Sequence, residues 1–266
     1  MQMMQEAMVE APDGARARLA MLVSALRRPE TYPGSVHAVE AIETHMSWVF
    51  LTEAHAYKLK KPIRTAFFDH TTAEARLRAC LTELELNRRL ASSVYLGVVP
   101  LIGDHGAIRL EPEGKAIYWL VKMRRLPRDR MLDVCIARGA VSEADVERIG
   151  ARMAHFYASA THVPLDGSAY RKRITSALAS KRESLEQPRY GVSPSALSAT
   201  VASQQRWLAQ HHQLLEERGA YVLDGHGDLR PEHVCLEEPV PVFIDCLEFD
   251  RTLRLLDPVS ELSFLA

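Results

Sequence analysis

The chain has 266 residues, 47% of them hydrophobic and 25% charged, with a formal net charge of -1. That composition suffices for a sizeable core and leaves no global field to draw in nucleic acid or an anionic membrane. No apolar run reaches the roughly 18 residues of a membrane span, and Cys80, Cys135, Cys235 and Cys246 form no C-x-x-C pair, so they read as reduced thiols of a cytoplasmic protein.

In chain order, residues 1–12 read as a frayed start. A helix is predicted over 14–28. Leu19, Leu22, Val23 and Leu26 fall on one helical face, and Pro29 stops it. Arg16 and Arg18 before the stripe, Arg27 and Arg28 after it, and no small-residue cleavage site argue against a signal peptide. Three β-type segments near 38–44, 48–52 and 56–60 are joined closely enough for an antiparallel meander. Residues 72–90 read as a helix with Leu77, Leu81, Leu84 and Leu90 as its buried stripe. Two strands, "GVVPLI" and "AIYWLVKM", flank a turn-rich loop containing "GDHG" and "EPEG". Further helices are predicted near 142–161, 168–186 and 194–218, the first capped by Ser142 with Asp145 three positions on. This divides the chain at 124/125, into a β-rich lobe with its N-terminal helix and a mainly helical lobe over 125–266.

The stretch "HGDLRPEHV", residues 226–234, stands apart from this pattern. It is polar, yet lies between the apolar runs "YVLDG" and "PVFIDCLEF". Such groups are costly near a core unless paired or used. Asp228 and Asp245 flank a predicted β-hairpin here, Lys58 lies on the third strand, and Glu83 on the following helix. Phosphoryl transfer needs this set: a Lys on the nucleotide phosphates, a Glu orienting it, an Asp for the acceptor hydroxyl and an Asp for the metal.

With these motifs the chain resembles the kinase-like phosphotransferases of the aminoglycoside phosphotransferase and choline kinase type. "HGDLRPEHV" is similar to their catalytic loop, HGDxxxxN, and "FIDCLEF" to their metal-binding segment. "THMSWVFLTEAHAYKLKKP" and "VKMRRLP" resemble an uncharacterised bacterial branch of that family. The resemblance covers residues 30 to 266. It implies an α+β, bilobal, protein kinase-like fold and a cytoplasmic, ATP-dependent phosphotransferase acting on a hydroxyl of a small molecule, with magnesium, or manganese, as its metal. By the same resemblance Lys58 contacts the α and β phosphates, Glu83 pairs with it, Asp228 is the catalytic base and Asp245 the metal ligand. Glu85 competes with Glu83 but points about 200° away around the helix. The backbone around Val121 and Met123 is expected to bind adenine. "ETHMSW" is expected to cover the phosphates, with the Thr44 and Ser47 hydroxyls replacing the usual glycine-rich backbone. Arg230, two residues past Asp228, is placed to meet the γ-phosphate.

The sequence departs from the family at His233, where an Asn usually offers the metal an oxygen; His233 is kept with Asp245 as a metal-site residue. The helices that complete an acceptor pocket are expected beyond "DPVSELSFLA", so the chain reads as a shortened form. Against phosphotransfer stands a nucleotide-binding pseudokinase with a regulatory or partner-binding role. A zinc site at His226, His233, Cys235 and Cys246 is disfavoured by spacing. Taken singly, other residues have plainer readings: Lys58, Lys60 and Lys61 as a solvated run, His226 as a structural residue of the loop, His155 as a helix-packing residue, and Arg124, Arg125, Arg128 and Arg130 as a solvated face. The expected partners are ATP and a small-molecule acceptor, with neither nucleic acid nor membrane.

Overall fold

The computed structural model describes residues 13–65, 67–104, 107–110 and 116–265. The frayed start at 1–12, the second half of "GDHG" and all of "EPEG" lie outside them. The fold is α+β. Helix α1 (Asp13–Leu26) precedes strands β1 (Glu40–Glu43), β2 (Ser47–Leu51) and β3 (His55–Lys60). Helix α2 (Ala73–Ala91) follows, then β4 (Tyr95–Asp104), β5 (Ala107–Leu110) and β6 (Ala116–Arg124). The six strands form one antiparallel sheet in the order β1-β2-β3-β6-β4-β5. β5 was not expected; its four residues lie inside the loop read as turns.

The period-2 alternation of "HAYKLK" gives β3 two faces. Tyr57 and Leu59 join Phe50, Tyr118 and Leu120 in a core shared with Leu22 and Leu26 of α1. Ala56 joins Val121, Met123 and Cys80 in a second core on the α2 side, with Val49 and Leu84 packed against it. Lys58 and Lys60 share the parity of Ala56 and therefore face α2.

Helix α2 starts at Thr72, whose hydroxyl accepts the Ala75 N–H at 3.1 Å. Its buried face corrects the leucine stripe: Arg76, Ala79, Cys80, Glu83, Asn87, Leu90 and Ala91 are buried, whereas Leu81 is 49% exposed. Ion pairs and hydrogen bonds to Glu83 and Asn87 make a polar face worth burying.

Beyond β6 come α3 (Leu132–Ala137) and α4 (Glu143–Ser159). The capping box forms: Asp145 accepts from Ser142 N–H at 2.9 Å, and Ser142 Oγ accepts from Asp145 N–H at 3.2 Å. Then follow α5 (Gly167–Leu185), α6 (Pro194–Gln210) and α7 (His212–Arg218). The single helix expected over 194–218 breaks at His211, whose φ of -116° and ψ of 27° leave the helical region. Strand β7 (Leu223–Asp224) pairs with β10 (Leu255–Leu256), and β8 (Val234–Cys235) with β9 (Val242–Phe243). Two short helices, α8 (Arg251–Arg254) and α9 (Pro258–Leu262), flank β10.

The chain forms two compact units. One contains the chain up to Phe156 together with Asp228–Arg251; the other contains Tyr157–Gly227 and Thr252–Phe264. This differs from a division at 124/125. Residues 228–251 belong with the sheet because Leu236 N–H donates to Arg130 C=O at 2.8 Å, and Arg124 grips Glu237 through two bonds of 2.7 Å. No helix among the described residues is long and apolar enough to cross a membrane.

Candidate active site

The unit that holds the sheet gathers charged groups from three distant segments. Lys58 Nζ lies 2.9 Å from Glu83 Oε1 and 2.6 Å from Asp245 Oδ1. Lys60, two residues on and on the same face, lies 2.6 Å from the other Glu83 oxygen and also bonds Glu248. Burial opposes the charge on Lys58, but Asp245 and Glu83 outweigh it and hold its pKa well above the lysine range. Burial likewise pushes Glu83 up, and Lys58 then Lys60 pull it below the usual carboxylate range. Burial raises Asp245, yet Lys58 lowers it further through its charge and its hydrogen bond, so it stays ionised. With 43% of the Asp245 side chain open to solvent, screening keeps that shift from counting as stability.

Asp245 has a φ of 61°, in the left-handed region. Aspartate tolerates this better than most residues. The next backbone groups are tied down: Asp245 N–H donates to Tyr95 Oη at 3.1 Å, and Cys246 N–H to Asn87 Oδ1 at 2.9 Å. Helix α2 thus supplies Glu83 for the lysines and Asn87 for the Asp245 segment, one turn apart.

Asp228 opens the loop that returns to β8. Pro231 begins a 3-10 turn over Pro231–His233, which folds His233 back on the loop; its N–H donates to Arg230 C=O at 2.9 Å. His233 Nδ1 lies 2.7 Å from Asp228 C=O, and Nε2 lies 3.1 Å from Arg230 Nη2. A carbonyl only accepts and a guanidinium only donates. The ring is therefore neutral, with the proton on Nδ1 and a lone pair on Nε2. The imidazole lies 3.6 Å from a carboxylate oxygen of Asp228 on one side and 3.6 Å from one of Asp245 on the other. Arg230 Nε approaches Asp228 Oδ1 at 3.1 Å as an ion pair off the hydrogen-bonding axis.

In the other unit, the residues that lead into Asp228 are held from α9. Glu261, 1% exposed, accepts the N–H groups of His226 and Gly227 at 2.7 Å each, and the Tyr157 hydroxyl at 2.9 Å. Gly227 has a φ of 85°, which explains the glycine after His226. A Cβ on Gly225 would lie 2.8 Å from the Glu261 carboxylate, so the residue there must be small. His226 is buried, in keeping with a structural place in the loop.

Other expected site residues fall elsewhere. The Thr44 hydroxyl closes the β1–β2 turn, donating to Ser47 C=O and accepting Ser47 N–H at 3.0 Å each. Ser47 is buried opposite Lys60 in the ladder. Neither hydroxyl has a hydrogen bond to the Lys58 cluster among the described residues. Val121 and Met123 lie on β6, the strand between β3 and β4, so their backbone groups serve the sheet and not an adenine edge. Their side chains belong to the apolar core beside Lys58. Glu85 is exposed, whereas Glu83 is fully buried. The lysines are not a solvated run, since Lys60 is 2% exposed.

The arginines are partnered rather than simply solvated: Arg125 donates to Thr52 C=O and Arg130 to Leu236 C=O, and Arg128 pairs with Asp133. His155 lies on the exposed side of α4. Cys235 is buried, and burial pushes its thiol up to about 12, unlike a zinc thiolate. Lys60, Glu248, Tyr95, Asn87 and Glu261 escaped sequence reasoning. For Lys60 the signal was its spacing of two from Lys58.

Asp245 and His233 fit a metal held partly by phosphates. Among the described residues no group of three or more His, Cys, Asp or Glu is arranged to hold a metal. A nucleotide-bound magnesium needs only one or two protein ligands. Here they would be a carboxylate oxygen and an imidazole nitrogen, and the nitrogen suits manganese better.

No family model matches the chain. It is 32% identical over 235 residues to uncharacterized proteins of Mycobacterium bovis and of two strains of Mycobacterium tuberculosis. The match covers 86% of this chain and 45% of theirs, so the chain spans about half the length of the curated relatives it matches. Among solved structures it is similar to a glucosamine kinase in complex with glucosamine, ADP and inorganic phosphate. The TM-score is 0.45 at 17% identity, over 97% of this chain and 63% of that one. Crystal form A of glucosamine kinase gives 0.45 at 14% identity, over 92% of this chain and 59% of that one.

Proposed function

We propose that this chain is an ATP-dependent phosphotransferase of the protein kinase-like, aminoglycoside phosphotransferase type, acting in the cytoplasm on a hydroxyl of a small molecule. The observation that carries this reading is the meeting of Lys58, Glu83 and Asp245 within 2.9 Å, from a strand, a helix and the segment after a hairpin. The metal-bound nucleotide supplies a γ-phosphoryl group whose developing charge the metal offsets. Lys58 leaves Asp245 to hold the α and β phosphates, and Glu83 orients it. Asp245 and the His233 Nε2 lone pair would hold the metal. Asp228 takes the proton of the acceptor hydroxyl on a carboxylate oxygen, and Arg230 turns from His233 toward the γ-phosphate. The apolar side chains of Val49, Ala56, Val121, Met123 and Ile244 flank the base. Its polar edge meets the backbone just past β6, at 125–127, and the Thr44–Ser47 turn covers the phosphates.

The test is a screen of sugars, other metabolites and aminoglycosides for ATP-dependent phosphorylation, with Asp228→Asn as control. One observation favours the second reading, a nucleotide-binding pseudokinase: Arg230 holds the His233 lone pair that a metal would need. ATP binding without turnover on any acceptor, with either metal, would select that reading.

A further inference from the structure

Asp245 is the one non-glycine among the described residues with a positive φ. A residue with a Cβ disfavours that conformation, which persists where the surroundings hold it. Ile244 N–H, just before, still donates to a backbone carbonyl, that of His233, at 2.9 Å. The next two N–H groups find side chains instead: Asp245 N–H donates to Tyr95 Oη at 3.1 Å, and Cys246 N–H to Asn87 Oδ1 at 2.9 Å. Tyr95 and Asn87 are both buried, and Asn87 Nδ2 donates in turn to Glu83 C=O at 2.9 Å.

Tyr95 reaches Asp245 because β4 is irregular. Val98 lies opposite Val121 and packs on the core beside α2. By period-2 alternation Leu96 would share that face, and Tyr95 would point the other way. Instead Tyr95 lies opposite Met123 and Gly97 opposite Lys122, so Leu96 is an extra residue in the ladder. The bulge carries the Tyr95 ring into the core beside α2 and leaves Leu96 exposed. Bulges next to active sites re-aim side chains in this way. Arg88 of α2 fixes this one, donating to Tyr95 C=O at 2.9 Å and to Leu96 C=O at 2.8 Å. Burial, then the charges of Glu83 and Asp245, push the Tyr95 hydroxyl well above the tyrosine range, so it stays protonated. A phenyl ring would fill the same space, so the hydroxyl calls for another reason. In the proposed reaction the Lys58 contact with the Asp245 carboxylate passes to the phosphates, and the amide bonds remain. We infer that Tyr95 is a positioning residue of the metal site: with Asn87, its hydroxyl holds Asp245 in the left-handed conformation that presents the carboxylate to the metal. This rests on the reading of Asp245 as a metal ligand.

The experiment measures ATP affinity by calorimetry on the full chain, once with manganese and once with a chelator in place of the metal, and takes the ratio of the two. Tyr95→Phe keeps the ring and removes the acceptor. It should lower the ratio roughly tenfold, the scale on which outer partners of metal ligands act, and leave metal-free ATP affinity unchanged. Asn87→Ala should act in the same direction. In the Asp245→Asn background Tyr95→Phe should leave the ratio where Asp245→Asn puts it, because the carboxylate it positions is gone. A Tyr95 that only fills the core would weaken ATP alike with and without metal, or in neither case, and keep the wild-type ratio; that result overturns the inference. So does a loss that persists in the Asp245→Asn background. If Tyr95→Phe does not fold, Asn87→Ala is judged by the same ratio. Asp245→Asn alone separates the two levels. If it leaves the ratio unchanged, the reading of Asp245 as metal ligand and this inference fall together; if it lowers the ratio and Tyr95→Phe does not, the inference alone falls.

Discussion

His233 lies between two carboxylates that have different surroundings. Asp245 is tied to a cation and to backbone anchors, while Asp228 stands at the head of a loop beside Arg230. Asp228→Asn should therefore remove nearly all turnover and leave ATP affinity about as it was, checked by a phosphorylation assay beside calorimetry. Wild-type turnover in a folded variant would rule out the role of base. For His233, the Nδ1–H bond to a carbonyl and the lone pair on Nε2 are the arrangement of a metal-ligating histidine held by an outer partner. The wild-type protein should bind manganese-ATP more tightly than magnesium-ATP, and His233→Asn should reverse that order. Pulsed electron paramagnetic resonance of the manganese complex should show a nitrogen coupling that the variant lacks. If wild type shows none, His233 serves only to hold the loop. At the lysine, Lys58→Ala should weaken ATP more than adenosine, and Glu83→Gln should do so more mildly. Exposed Glu85 sets the control: an effect of Glu85→Gln equal to that of Glu83→Gln would mean that charge near α2, and not the ion pair, governs binding.

Among the elements, α2 and α9 act as anchors for the two loops. α2 turns a polar row inward, and its residue-by-residue register brings Glu83 to the lysines and Asn87 to Cys246 N–H. α9 is only five residues long, yet Asp257 caps it and Glu261 binds two consecutive N–H groups ahead of Asp228. Leaving buried donors without partners costs about 1–3 kcal/mol each. Glu261→Ala should destabilise the protein by about 2–4 kcal/mol, and Tyr157→Phe, which removes one bond, by about 1 kcal/mol. Urea unfolding measures both. Equal losses for the two would show that the N–H groups of the loop find other partners.

For the molecule as a whole, His70 gives stability a pH dependence of definite sign. It is buried, and its pKa falls to about 4 through burial and the charges of Lys60 and Arg76. The unfolded chain takes up a proton near pH 6.5, and the folded one only near 4. The folded state thus keeps its full stability above about pH 6.5 and loses up to about 1.4 kcal/mol per unit as pH falls toward 4. His70→Phe should flatten the slope in chemical denaturation across that window; an unchanged slope would place the acid sensitivity elsewhere. What the sequence alone determined was local: the alternation of β2 and β3, the Ser142 and Asp145 cap, the hairpin after Asp228, and the residue types that suit phosphoryl transfer. These follow from periods of 2.0 and 3.6 and from short-range hydrogen bonds. Only the tertiary structure decided which face of α2 is buried, because a row of leucines competes with a polar row that finds its ionic partners on β3. It likewise decided that Lys60 is enclosed while Lys58 is partly open, that residues 228–251 pack with the sheet, and that Glu261 supports the loop ahead of Asp228. Each depends on groups far apart in the chain, and a charge can be buried only where its partner is already in place.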